Sequence, residues 1–139
     1  MTTPVKHLDH LNLSVRSFEE SAAFYGRVFG FVVVERGVQA GKPWGVLRAG
    51  EALLCLYEHE ERTHLGGAAL EERRLHGLNH FGLRIQDRAA WERTVAEQGL
   101  ELLYGGPLSW PHSTAWYVRD PTGHEIEVAL WNDDRVAFG

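Results

Sequence analysis

Apolar and polar residues alternate in two short segments of the chain, and the two segments share the same pattern of residue types. The first reads Leu-Asp-His-Leu-Asn-Leu-Ser-Val at residues 8–15, and the second reads Leu-Asn-His-Phe-Gly-Leu-Arg-Ile at residues 78–85. Alternation with a period of two is typical of a strand with one buried face. Each segment therefore predicts a β-strand, and the constant offset predicts an internal repeat.

Each predicted strand runs into a helix whose ends are marked in the sequence. Ser17, with Glu20 three residues later, forms a capping box, and Asp87 is a suitable N-cap in the second copy. Gly30 and Gly99 follow as C-terminal stop signals. The predicted helices span residues 17–29 and 87–98.

Three more strand-like segments follow each helix, so that each copy reads β-α-β-β-β. The charged stretch between the copies contains Gly66 and Gly67, which predicts a linker. We expect a single α+β domain of two tandem βαβββ modules at about residues 7–58 and 77–131, with the linker at about 59–76. The predicted later strands are residues 31–34, 45–48 and 52–57, and then 100–103, 115–118 and 125–130.

Composition and charge narrow the class of protein. Of 139 residues, 44% are apolar and 24% charged, as in an ordinary water-soluble globular domain. The formal charge of -5 offers no basic face for a phosphate backbone, so we expect no nucleic-acid partner. No segment approaches the ~20 apolar residues of a membrane helix or resembles a signal peptide, so we expect no membrane partner. A single cysteine, Cys55, fits a reducing compartment, and the expected location is the cytoplasm.

Strand alternation places three potential metal ligands on the non-core faces of their strands. The apolar residues after His10 and His80 are expected to face the core, so the two histidines lie on the opposite face, together with Asn12 and Arg84. The same argument puts Glu127 on the non-core face of the last strand. Two imidazoles and a carboxylate suit a divalent cation and leave positions open for substrate. The simpler alternative is a solvated sheet face, but two histidines at equivalent repeat positions favour a metal site.

Four motifs stand out along the chain. They begin at residues 10, 21, 79 and 120, and read HLNLSV, SAAFY followed by FGF, NHF, and DPTGHEIE. Together they resemble the vicinal oxygen chelate superfamily, which contains glyoxalase I, fosfomycin-resistance enzymes, extradiol dioxygenases and bleomycin-resistance proteins. The resemblance implies two modules forming a cupped, barrel-like mixed sheet around a metal site, and a homodimer with a shared site. It implies that His10, His80 and Glu127 bind one divalent ion of iron, manganese, nickel, cobalt or zinc, with a small molecule as substrate.

Two branches of the superfamily fit this chain less well. Aligning the last strands of the two copies makes Cys55 the counterpart of Glu127, at the place where glyoxalase I relatives usually have a fourth ligand. A small buried cysteine is more frequent than a metal-bound one, so we favour a three-ligand site. Fosfomycin-resistance enzymes need cations for a phosphonate, but residues 94–118 contain no lysine or arginine. A fosfomycin-type transferase is therefore disfavoured.

The segment from His112 to Tyr117 resembles the part of extradiol dioxygenases in which a histidine precedes an aromatic pair near the metal. The resemblance makes His112 a candidate acid-base residue and Tyr117 a second catalytic candidate. We expect a metal-dependent enzyme whose substrate chelates through vicinal oxygens, and favour dioxygenase chemistry over a glyoxalase-like lyase or isomerase. The alternative is a metal-independent protein that sequesters a small molecule, as bleomycin-resistance proteins do. The candidate substrate contacts are Asn12, Cys55, Arg84 and Trp116.

Overall fold

The computed structural model describes residues 3–138, which divide into two compact units with the boundary between Thr63 and His64. The first unit has one four-stranded sheet in the order β1-β4-β3-β2 and one helix. Strand β1 runs parallel to β4, and the other neighbouring strands are antiparallel. Its elements are β1 (Leu11–Val15), α1 (Phe18–Phe29), β2 (Val32–Gln39), β3 (Lys42–Ala49) and β4 (Ala52–Glu58).

The second unit repeats this arrangement with the sheet order β5-β8-β7-β6, in which β5 is parallel to β8. A short helix precedes the first strand of this unit. A 3-10 turn, Leu103–Gly105, lies between its long helix and the strand that follows. The elements are α2 (Gly67–Glu72), β5 (Phe81–Ile85), α3 (Arg88–Gln98), β6 (Leu108–Trp110), β7 (Ser113–Arg119) and β8 (Glu125–Trp131).

The α+β class and the two tandem βαβββ modules are thus confirmed. Within residues 3–138 the strands form two four-stranded sheets, one in each unit. No helix in this part of the chain is long and apolar enough to cross a membrane.

The predicted helix ends are confirmed at both copies. The hydroxyl of Ser17 accepts a hydrogen bond from the Glu20 amide at 3.2 Å, and the carboxylate of Asp87 accepts one from the Ala90 amide at 3.0 Å. Gly30 and Gly99 end the helices with φ of 75° and 59°, in the left-handed region that glycine adopts without a Cβ penalty.

One prediction about local structure was wrong. Residues 100–103 do not form a strand, since Tyr104, Gly105 and Gly106 all have positive φ and turn the chain before β6 begins at Leu108. The predicted linker segment contains the short helix α2, none of whose residues is buried.

The strand faces follow the predicted alternation. In the first unit Leu13 and Val15 are buried while Asn12 is exposed, and in the second Ile126 and Val128 are buried while Glu127 is only partly covered. Burial of one face fixes the register, because a shift by one residue would expose the whole apolar set. The polar residues between them are thereby held on the opposite face.

Candidate metal centre

His80 and Glu127 meet on the non-core face of the second sheet. His80 stands immediately before β5, two residues from Gly82, and Gly82 pairs with Glu127 across the parallel β5–β8 ladder. Residues two apart share a strand face, so both side chains project on the same side. The Nε2 atom of His80 lies 2.9 Å from Oε2 of Glu127, with the side chains 37% and 16% exposed.

The separation of these two atoms suits neighbouring ligands of one cation. Bonds of about 2.1 Å to nitrogen and oxygen, at a right angle, place the donor atoms roughly 3 Å apart. The donor types, imidazole and carboxylate, are those that iron, manganese, cobalt, nickel and zinc accept. The pair therefore fits two positions of a divalent metal site.

Tyr117 lies against this pair. It faces Glu127 across the antiparallel β7–β8 ladder, and its ring meets the His80 ring edge-on, with centroids 5.6 Å apart. Tyr117 is buried with Leu103 and Ala115. Burial, and then the negative charge of Glu127, raise the pKa of the Tyr117 hydroxyl. Its phenol therefore keeps its proton at neutral pH and remains a hydrogen-bond donor.

A cavity of about 800 Å³ in the second unit adjoins the pair. Its polar wall includes His80 and Tyr117, and leucines supply much of the apolar wall. A cavity that combines apolar walls with convergent polar groups is the usual form of a small-molecule site. The leucines are Leu70, Leu75, Leu78 and Leu108.

Tyr104 and Glu125 also line this cavity, and neither is among the candidate site residues predicted from the sequence. The Tyr104 hydroxyl donates a 2.6 Å hydrogen bond to Oε1 of Glu125, which raises the pKa of Tyr104. The Tyr104 ring contacts the Tyr117 ring edge-on at 5.2 Å. One signal was available in the sequence: Glu125 shares its strand face with Glu127.

His10 belongs to the first unit, where Asp9 orients it. Its Nδ1 atom lies 2.7 Å from Oδ2 of Asp9, and its side chain is about half exposed. A carboxylate on one ring nitrogen fixes the tautomer and leaves the other, Nε2, as a free ligand. Within residues 3–138 no group of three or more His, Cys, Asp or Glu side chains is arranged to hold a metal ion.

The β-sheet register places Cys55 at the position in the first unit that Glu127 has in the second. Cys55 pairs with Asn12 on the parallel neighbour, as Glu127 pairs with Gly82. Burial, followed by the charges of Asp9 and Glu35, raises the pKa of the Cys55 thiol. The free thiol therefore keeps its proton more readily than an ordinary cysteine does.

Three of the predicted site residues lie away from the His80–Glu127 pair. Trp116 is buried on the opposite face of β7 from Tyr117, with Arg88 of α3 over its ring, because neighbouring residues of a strand point to opposite faces. His112 lies in the β6–β7 turn, five residues from Tyr117, and Arg135 Nη2 is 3.3 Å from its Nδ1. Arg84 donates to the Asp133 carbonyl at 3.0 Å.

Comparison with known proteins agrees with this fold. The sequence profile of the glyoxalase/bleomycin resistance protein/dioxygenase superfamily matches residues 7–128. The catechol-2,3-dioxygenase of Bacillus subtilis (strain 168) is 28% identical over 138 residues, which cover 93% of this chain and 45% of the relative. The chain thus spans less than half of that relative's length.

Solved structures with the same fold share little sequence with this chain. A glyoxalase/bleomycin resistance protein/dioxygenase domain from Frankia sp. EAN1pec matches with a TM-score of 0.77 and 17% identity, covering 94% of this chain and 96% of its own. The fosfomycin resistance protein FosX from Listeria monocytogenes, complexed with Mn(II) and sulfate, matches with a TM-score of 0.67 and 16% identity, covering 91% and 93%.

Proposed function

The chain belongs to the glyoxalase/bleomycin resistance protein/dioxygenase superfamily, and from this membership we propose that it is a divalent-metal-dependent enzyme. Its substrate is a small molecule that chelates the metal through two neighbouring oxygens. The observation that carries the proposal is the His80–Glu127 pair, 2.9 Å apart, beside a buried tyrosine and a cavity.

We propose that His10 completes the ligand set. Its Asp9 partner leaves Nε2 free, an arrangement that metal-bound histidines commonly have. His10 would come from the same chain or, in a homodimer, from the second copy, and we favour the homodimer with a shared site. A cytoplasmic location suits the free thiol of Cys55.

Three ligands leave open positions for two substrate oxygens. When bound, a divalent cation supplies Lewis-acid chemistry at those oxygens or, as ferrous iron, oxygen chemistry. Tyr117, like any phenol without a lowered pKa, is protonated at neutral pH, so its hydroxyl can donate a hydrogen bond to a substrate oxygen near Glu127. Leucine side chains on the cavity wall offer apolar contact to the bound molecule.

Dioxygenase chemistry is favoured over glyoxalase chemistry for two reasons. The catechol-2,3-dioxygenase of Bacillus subtilis is 28% identical to this chain, whereas the two solved structures described above are 17% and 16% identical. The position where a fourth protein ligand would stand holds Cys55, whose raised pKa disfavours the thiolate. A three-ligand site has room for both a chelating diol and oxygen.

Activity on catechols tests the proposal. The chain is loaded with ferrous iron without oxygen, mixed with 4-methylcatechol, and then exposed to oxygen while oxygen uptake and the absorbance of ring-cleaved product are followed. We expect turnover that Glu127→Gln abolishes and the exposed-site control Glu97→Gln retains. Conversion of a hemithioacetal with no reaction on catechols would favour the glyoxalase branch. Metal-independent binding without turnover would favour the sequestering function.

A further inference from the structure

The cavity beside His80 has a second polar end, formed by Glu125, Tyr104 and Arg119. Arg119 pairs with Glu125 across the β7–β8 ladder, two residues further along than the Tyr117–Glu127 pair. Two residues of a strand span about 7 Å. A molecule chelated beside Glu127 would therefore place its far side near Glu125.

The two carboxylate oxygens of Glu125 have different surroundings. Oε1 accepts the 2.6 Å hydrogen bond from Tyr104. Oε2 lies near Gly67 in the first turn of α2. A Cβ added to Gly67 would stand 3.9 Å from this oxygen. Among residues 3–138, Tyr104 is the one side chain that donates a hydrogen bond to Glu125. Oε2 can therefore accept a donor from a bound molecule.

Tyr104, which donates this hydrogen bond, has an unusual backbone conformation. Its φ of 58° and ψ of 24° lie in the left-handed region, which bulky side chains rarely adopt. The ring is 62% exposed, so burial does not impose this conformation. The hydrogen bond to Glu125 and the ring contact with Tyr117 are the interactions that hold it there. Conformational strain of this kind is concentrated at ligand sites.

The charged residues that line the cavity as a whole have a negative formal sum. They are two carboxylates, Glu71 and Glu125, and one guanidinium, Arg119, which gives a net charge of -1. An anionic group on a substrate would be repelled, and an ammonium group, with three donors and a positive charge, would be attracted.

We propose that Glu125, positioned by Tyr104, selects substrates that carry an amine on the side opposite the two chelating oxygens. This inference rests on the proposed chelation by the metal near His80 and Glu127 and specifies its substrate class. Glu125 is the specificity-determining residue, and Tyr104 is a positioning residue that keeps the carboxylate facing the cavity.

Three matched catechols test the selection through binding, without turnover. Dissociation constants for 3,4-dihydroxybenzylamine, 4-methylcatechol and 3,4-dihydroxybenzoate are measured by calorimetry on the iron-loaded chain without oxygen. We expect the amine to bind about tenfold more tightly than the methyl compound, as a charged hydrogen bond provides, and the benzoate to bind most weakly. Glu125→Gln should remove the preference and leave 4-methylcatechol unchanged.

Tyr104→Phe provides a second variant, because it removes the hydrogen bond and keeps the ring. We expect it to reduce the preference for the amine, while the surface control Glu97→Gln retains it. Equal binding of all three compounds by the wild type, or equal weakening of all three by Glu125→Gln, would overturn the selection and leave the chelation intact. Failure of every catechol to bind the wild type would refute the chelation of catechols at this site, and this inference with it.

Discussion

Cys55 and Glu127 occupy equivalent positions in the two sheets. Each stands on the last strand of its unit, paired with the second residue of the first strand, Asn12 for Cys55 and Gly82 for Glu127. The same backbone position thus carries a thiol in one unit and a carboxylate in the other. This difference makes the two halves chemically unequal, and the metal chemistry proposed here uses only the carboxylate.

Replacing Cys55 should leave metal binding intact. Burial and nearby carboxylates raise the pKa of its thiol, so the thiolate that would bind a metal is scarce at neutral pH. We expect Cys55→Ala to retain the metal content of the wild type, measured by elemental analysis of the purified protein. A loss of metal in this variant would make Cys55 a fourth ligand and return the glyoxalase branch to consideration.

Asp9 should matter for metal affinity, although it is not a proposed ligand. Its carboxylate lies 2.7 Å from Nδ1 of His10 and orients the ring. Removing such a partner commonly weakens metal binding by about 10- to 100-fold. We expect this loss for Asp9→Asn in competition with a chelator, and none for the exposed control Glu51→Gln. Unchanged metal affinity in Asp9→Asn would show that His10, in the orientation that Asp9 gives it, is not a ligand.

Tyr117 should affect turnover more than metal content. Its protonated hydroxyl is the proposed donor to substrate, and a positioned acid typically contributes about 100-fold or more to the rate. We expect Tyr117→Phe to lower kcat by roughly that factor while the metal per chain stays constant, since the ring can still pack against His80. Full activity in this variant would remove Tyr117 from the mechanism.

The glycine that ends α1 should contribute to stability through its backbone alone. Gly30 has φ of 75°, and a Cβ there would meet no atom within 4 Å. Gly30→Ala should therefore lower the free energy of unfolding by about 1 kcal/mol, the cost of left-handed backbone for an L-residue. Urea denaturation measures the change. Gly66→Ala is the matched control, because Gly66 has φ of -77° and should tolerate the methyl group.

Much of the fold could be predicted from local patterns in the sequence. Alternation identified the strands, and the signals at Ser17, Asp87, Gly30 and Gly99 marked helix ends, because these features depend on near neighbours in the chain. The failed strand at residues 100–103 has an apolar pattern, but the chain turns at Tyr104, whose left-handed backbone depends on Glu125 and Tyr117 far along the sequence.

The candidate site was predictable to a similar extent. Strand parity and the repeat together selected His80 and Glu127, which the structure places 2.9 Å apart. Trp116 is predicted to contact the substrate, but its neighbour Tyr117 faces the His80–Glu127 pair. Adjacent residues of a strand point to opposite faces, so Trp116 lies on the other side. The roles of Asp9, Tyr104 and Glu125 depend on side-chain contacts that residue type and spacing do not specify.

Metal content measures the central claim most directly. Protein purified without an affinity tag and loaded with ferrous iron or manganese is analysed for wild type, His10→Ala, Glu127→Ala and the exposed control His7→Ala. We expect about one metal per chain in the wild type and in His7→Ala, and its loss in the two ligand variants. A wild type that takes up no metal, or ligand variants that retain it, would show that His10 and Glu127 do not form a metal site.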